Sequence, residues 1–233
     1  MSENTAQPLG YDAETDNKPI SAYITNLGKY NEGALVGEWL PLPTTTEQVQ
    51  EVFERIGIDG VRYEEFFITD YETSVGRLHE HLREYASLDE LNYLATLIEE
   101  LDSGEVEKFD AAIEYEDYTG SLEDIINLAE NLDCYEFFPG IHTDEDLGYY
   151  WAEESGAYTI EQLGPLSQYI DHERYGRDIR LEEGGTFTDN GYIRSNQGSF
   201  IEYYRGDVPE EYKVFAYPDK RPEREAVQGY EIK

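Results

Sequence analysis

The apolar positions of the chain change period twice. "SAYITNL" (21–27) alternates apolar and polar residues of β-favouring type, and a Gly- and Asn-punctuated turn, "GKYNEG", follows it. "ALVGEWLPL" (34–42) predicts a second strand ending at Pro41, and "EEFFITDYE" (64–72) a third. Between those two, "TTEQVQEVFERIGI" puts Val49, Val52, Phe53 and Ile56 on one helical face, with Thr45 and Gln48 as a capping box. From Ser74 to Asn131 the period is helical. "SLDELNYLATLIEELD" lines up Leu88, Leu91, Leu94, Ile98 and Leu101 behind a Ser87–Glu90 cap, and "SLEDIINLAENL" repeats the device with Ser121 and Asp124. "GEVEKFDAAIEYEDY" lies between them. Amphipathic helices this short need to pack on one another.

Beyond residue 133 the pattern is mixed. "CYEFFPGI" (134–141) predicts a strand, and "TDEDLGYYWAEESGAY" a helix capped by Thr143 and Asp146. "TIEQLGPLSQYIDHERYG" predicts a helix broken at Pro165 and turning at Gly176. "GTFTDNGYI" (185–193) and "GSFIEYYRG" (198–206) predict a strand pair. The expected fold class is α+β, with small mixed α/β units flanking a helical middle. Its expected divisions are a flexible tail over 1–20, an α/β domain over 21–73, a helical domain over 74–133, an α+β domain over 134–205 and an extension over 206–233.

Charge changes this picture more than any other bulk property. The chain holds 52 Asp and Glu against 17 Lys and Arg, a formal net charge of -35. With 39% hydrophobic residues and 21 tyrosines it still has the means to build cores, so global disorder is not expected. The tail from Asp207 is nearly neutral, and -33 of the charge precedes it. Such acidity repels nucleic acid and anionic lipid and attracts basic surfaces, so neither direct nucleic-acid binding nor membrane association is expected. No signal peptide is evident and no apolar run approaches a membrane span, which makes a cytoplasmic protein the expectation. A solubility coat or adaptation to a salty cytoplasm are competing accounts of the acid. Arg outnumbers Lys 11 to 6, which is compatible with the second.

The carboxylates are dispersed rather than gathered in a tail. They recur on the polar side of almost every element: Glu47, Glu51 and Glu54; Asp89, Glu90, Glu99 and Glu100; Glu105, Glu107 and Asp110; Glu123, Asp124 and Glu130; Asp144, Glu145, Glu153 and Glu154. At one charge per ~1.7 Å of duplex axis, 33 charges match about 56 Å of DNA, or roughly 16 base pairs.

Catalytic constellations are not found. There is no P-loop, no dinucleotide GxGxxG and no HExxH. His79 and His81 lie two apart and cannot easily share a metal on a helix. The single cysteine, Cys134, sits among aromatics and reads as a small core residue. "DYTGSLED" lacks the oxygen spacing of a calcium loop. No catalytic, cofactor-binding or metal site is expected, and the chain does not read as an enzyme.

Two stretches resemble a known family, the ArdA antirestriction proteins. The first is "AYITNLGKYNEGALVGEWLPLP", which matches the family's Y-I-x-N-L-x-x-Y-N-x-G opening. The second is "YYWAEESGAY" followed by "LSQYIDHERYGRDIRLEEGGTFTDNGYI". It carries the L-x-x-Y-x-D-x-x-x-Y-G-R-D antirestriction motif at Leu166, Tyr169, Asp171, Tyr175, Gly176, Arg177 and Asp178. The resemblance spans about residues 21–205 and is general over the middle helices. It implies an elongated three-domain protein that dimerises through its C-terminal domain. It also implies a mimic of bent B-form DNA, usually encoded on mobile genetic elements, that blocks type I restriction–modification enzymes. The mimic would occupy the DNA groove of their methyltransferase core, without catalysis and without a cofactor. An acidic binding protein for another basic partner, a nucleoid protein or a nuclease, is the alternative.

Within this acidic chain "YIDHERYGRDIR" concentrates Arg174, Arg177 and Arg180. A mimic has no use for arginines on its acidic face. They are expected to pair with nearby carboxylates such as Asp171, Glu173 and Asp178, with Tyr169 and Tyr175 supplying aromatic packing. Helical spacing also places Leu147, Tyr150 and Trp151 on one side. That stripe fits either the unit's own core or, as the resemblance suggests for this domain, a dimer interface. The DNA-like charge is expected on Glu47, Glu51, Glu54, Asp89, Glu90, Glu99, Glu100, Glu123 and Asp124.

Overall fold

The structure, a computed structural model, describes residues 18–115, 117–156, 164 and 169–218. It is α+β: among these residues are seven α-helices and two three-stranded antiparallel sheets.

The first sheet is built from β1 (Ile20–Asn26), β2 (Gly37–Leu42) and β3 (Phe66–Thr73), with β1 in the centre. A short α1 (Leu27–Asn31) leaves β1 directly, capped by the Asn26 side chain. The second strand does not stop at Pro41. Pro41 pairs with Ser21, and the strand continues to Leu42. β2 is an edge strand, where a residue without an N–H is tolerated. Helix α2 (Thr46–Ile56) carries the expected reciprocal Thr45–Gln48 capping box and buries Val49, Val52, Phe53 and Ile56.

Three helices follow: α3 (Leu88–Glu100), α4 (Ser103–Glu114) and α5 (Leu122–Glu130). Ser87 and Ser121 cap α3 and α5 as their sequences indicate. Asp102 and Glu105 form a further capping box at α4. The apolar faces of these helices, α2 and the first sheet share one continuous core.

The last sheet has the order β4-β6-β5, from β4 (Tyr135–Pro139), β5 (Thr186–Phe187) and β6 (Gly191–Ser195). Two helices cross beside it, α6 (Asp144–Tyr149) and α7 (His172–Glu183). Thr143 and Asp146 cap α6 reciprocally. The chain then makes one π-helical turn over Tyr150–Glu154 instead of continuing as α-helix. The wider turn lets the consecutive rings of Tyr150 and Trp151 both approach Phe138, at 5.3 and 6.2 Å. Ile141, Leu147 and Tyr192 form the buried centre of this second core.

Two expectations fail here. Gly176 is not a turn; it lies inside α7. Residues 198–206 are not a strand either. Their backbone is engaged by the side chains of Asn127 in α5 and Asn131 at its C-terminal cap, rather than by a neighbouring strand. The hairpin forms instead between β5 and β6, and β6 takes β4 as its other neighbour.

Candidate functional site

The carboxylate surface is set up by the helices. Amphipathic burial turns Val49, Val52, Phe53 and Ile56 inward, so Glu47, Glu51 and Glu54 of α2 are exposed. The Glu47 carboxylate is held below the usual range by its own backbone N–H and by the Thr45 hydroxyl. On α3, Glu99 and Glu100 are exposed at the C-terminal end. Glu105 and Glu107 of α4 and Glu123 of α5 are exposed as well. These groups point at solvent from several consecutive elements.

Other predicted members have structural work. Asp89 accepts the Val214 and Phe215 N–H groups, both at 2.7 Å. Glu90 accepts the Tyr204 hydroxyl at 2.9 Å. Asp124 accepts from Ser121 at the α5 cap. All three are half-buried. Asp110 accepts the Arg77 N–H and an Asn190 amide proton, and Glu130 accepts from the Tyr93 hydroxyl.

The cations of the fold are largely committed to partners. Arg55 lies 2.8 Å from Glu38 and 3.5 Å from Glu51. Lys18 meets Glu99 at 3.0 Å, and Arg77 meets both Glu114 and Asp189. Arg194 bridges Glu136 and Glu183 beneath the rings of Phe138 and Trp151. Among the described residues, the exposed acids outnumber the cations that remain without an ion pair.

The arginine-rich helix α7 divides into two faces. On the inner face, Arg180 makes a bidentate pair with Asp144 of α6, 2.8 and 3.3 Å, and covers the Phe187 ring. Its partner is therefore across the helix pair, not Asp171, Glu173 or Asp178. Asp171 caps α7 through the Arg174 N–H. Gly176 sits buried against Gly148, and a Cβ at either position would enter the van der Waals shell of the opposite helix's backbone, Asp144 O or His172 O. On the outer face, Arg174, Arg177, Asp178 and Leu181 are exposed, and neither Arg174 nor Arg177 has an ion-pair partner among the described residues. Tyr169 is 78% exposed and makes little packing among the described residues; Tyr175 is half-buried. Leu166 lies outside the described residues.

Leu147 is 0% exposed and Tyr150 and Trp151 pack around it, so the stripe belongs to the second core. Leu147 is thus enclosed within its own protomer, while Tyr150 and Trp151 remain half-buried. Beside the stripe, a cleft of about 640 Å³ opens between β4 and α6, lined by Phe137, Phe138, Pro139, Tyr149, Tyr150 and Asp146 among others. Cys134 is buried, and burial pushes its thiol up, which suits a core residue and not a nucleophile. Among the described residues no His, Cys, Asp and Glu cluster is arranged to hold a metal, and no helix is long and apolar enough to cross a membrane.

These features define an acidic α+β protein whose prominent chemistry is a dispersed carboxylate surface. The chain matches the family model described as antirestriction protein (ArdA) over residues 22–194, and it belongs to that family. The match ends just short of the last residue of β6. Among curated proteins none matches.

Proposed function

We propose that this antirestriction protein acts by imitating the charge and shape of B-form DNA and occupying the DNA groove of type I restriction–modification enzymes. One observation carries the reading: exposed carboxylates recur on α2, α3, α4 and α5, while several of the cations are tied to carboxylates of the same chain. A DNA groove presents Lys and Arg positioned for phosphates, and a rigid carboxylate array offers them the same charge without a base sequence to read. The inhibitor needs no catalytic group for this. The test is displacement of a duplex target from a purified type I methyltransferase core. Displacement should weaken at least about tenfold between low and moderate salt, because many charges are neutralised together. Displacement that ignores salt, or none at all, rejects the reading and leaves a different basic partner as the target.

A homodimer is part of this proposal, and the outer face of α7 supports it. Arg174 and Arg177 occupy its N-terminal half with Glu173 beside them, and Asp178 and Glu182 its C-terminal half, with exposed Leu181 among them. Two copies packed antiparallel about a two-fold axis would set the basic half of each helix against the acidic half of the other. The face is thus close to neutral in a chain of net charge -35, as an interface between two such chains requires.

A further inference from the structure

After β6 the chain runs back across the middle helices and onto α2, and polar side chains of those helices hold its backbone. Asn131 donates its amide to the Ile201 carbonyl at 2.8 Å and accepts the Ile201 N–H at 2.9 Å. Asn127 does the same for Tyr204, at 2.8 and 2.9 Å. On α3, Asn92 donates to the Tyr212 carbonyl at 3.0 Å and accepts the Thr44 N–H, ahead of α2, at 2.7 Å. Asp89, one turn earlier, takes the Val214 and Phe215 N–H groups. All three asparagines are buried.

An asparagine amide offers a carbonyl and an NH2, so it matches both backbone groups of one residue in an extended strand and reads no side chain. Asn is a poor helix former and is seldom buried, so helix formation does not explain Asn92 and Asn127 on these inner faces; Asn131 is the C-cap of α5. Apolar contacts complete the seat. Val208 and Val214 enter the main core, and Phe215 and Tyr217 lie 6.0 and 6.3 Å from Phe53. The Tyr217 hydroxyl donates to the Glu64 carbonyl, Gln50 donates to the Tyr217 carbonyl, and Gly60 leaves room for the ring, since a Cβ there would stand 2.8 Å from its Cγ.

We infer that the groove along α5, α3 and α2 is a peptide-binding surface whose ligand is residues 201–217 of the same chain, and that this ligand clamps the first sheet and α2 onto the middle helices. The segment lies beyond the family match at residue 194. Its contacts pass in order from α5 to α3 to α2, the helices that carry Glu123, Glu99, Glu100, Glu47, Glu51 and Glu54. On the DNA-mimic reading, on which this half of the inference rests, the clamp fixes the spacing of those carboxylates.

The test uses the full chain with a protease site inserted after Gly206, where Arg205, Gly206 and Asp207 are exposed. After folding and cleavage, the fragment from Asp207 should stay bound when concentrated and leave on dilution. Its departure should speed hydrogen exchange about tenfold or more at Thr44, whose N–H is held by the Asn92 that also binds Tyr212, and at residues 60–66, which Phe215 and Tyr217 touch, and a synthetic peptide of residues 207–218 should restore protection. Exchange unchanged after release would overturn the clamp, and so would unfolding of the whole body, which would make the segment core and not ligand. In uncut protein the double change Phe215→Ala with Tyr217→Ala should open the same amides. No restriction enzyme enters these measurements, so they stand apart from the mimic reading. Inhibition by the double variant should fall about fivefold by loss of a fixed array; opened amides with full inhibition would overturn the link to carboxylate spacing.

Discussion

Gly148 and Gly176 set how closely α6 and α7 approach, because each presents bare backbone to the other helix. Gly176→Ala should destabilise the protein by about 3 kcal/mol through overpacking against backbone that has no rotamer to yield, read by chemical denaturation with β4, β6 and α7 probes. A variant as stable as the parent would show that the helices can separate freely. Asp146 acts at the α6 cap. Its carboxyl is held below the ordinary range first by the Thr143 hydroxyl and then by the His142 and Thr143 N–H groups. A depressed folded pKa gives stability that is present above the unfolded pKa and lost as pH falls through the folded one. Asp146→Ala should therefore cost about 1 kcal/mol near neutral pH, and the difference from the parent should vanish in acid. A difference that persists at low pH would mean that the cap is not what the carboxylate contributes.

On the scale of elements, α2 and α7 make opposite demands. The outer carboxylates of α2 are like charges on one face, and single changes there should alter binding by at most ~1 kcal/mol each. Replacing Glu47, Glu51 and Glu54 together by Gln should leave the fold intact and weaken inhibition at least tenfold, about 1.4 kcal/mol, in a competition assay. If one single change matched the triple, a discrete contact would replace the distributed array. Helix α7 is the reverse case, with a buried face that holds the fold and an exposed one that is nearly neutral. Leu181 is 67% exposed, so Leu181→Asp removes nothing from the core. It should give folded monomers in light scattering, whereas a persistent dimer would move the interface elsewhere.

For the whole molecule, self-repulsion and partner attraction respond to salt with opposite signs. A net charge of -35 opposes compaction, and screening relieves it. Raising salt from about 0.02 to about 0.5 M should raise the melting temperature by a few degrees while the affinity for the enzyme falls. If both quantities moved the same way, the charge would not be acting through bulk repulsion and groove binding as argued.

What the sequence determined by itself was local. The caps at Thr45, Ser87, Ser121 and Thr143 were legible because a capping side chain bonds a backbone group three residues away. The α2 face, the central strand and the excess of acid were legible for the same reason: period and composition need no distant partner. The tertiary structure decided everything that depended on which surfaces meet. Gly176 read as a turn because glycine usually marks one, yet its role is the close approach of a helix 28 positions earlier, at Gly148. Arg180 has acids beside it in sequence but pairs with Asp144, since helical geometry aims it across to α6. Residues 198–206 alternate like a strand but end on asparagine side chains. The buried Asn92, Asn127 and Asn131 were the one written sign of that seat: the NH2 groups of Asn127 and Asn131 also reach a carbonyl of their own helix, but their amide oxygens are satisfied by a distant chain segment.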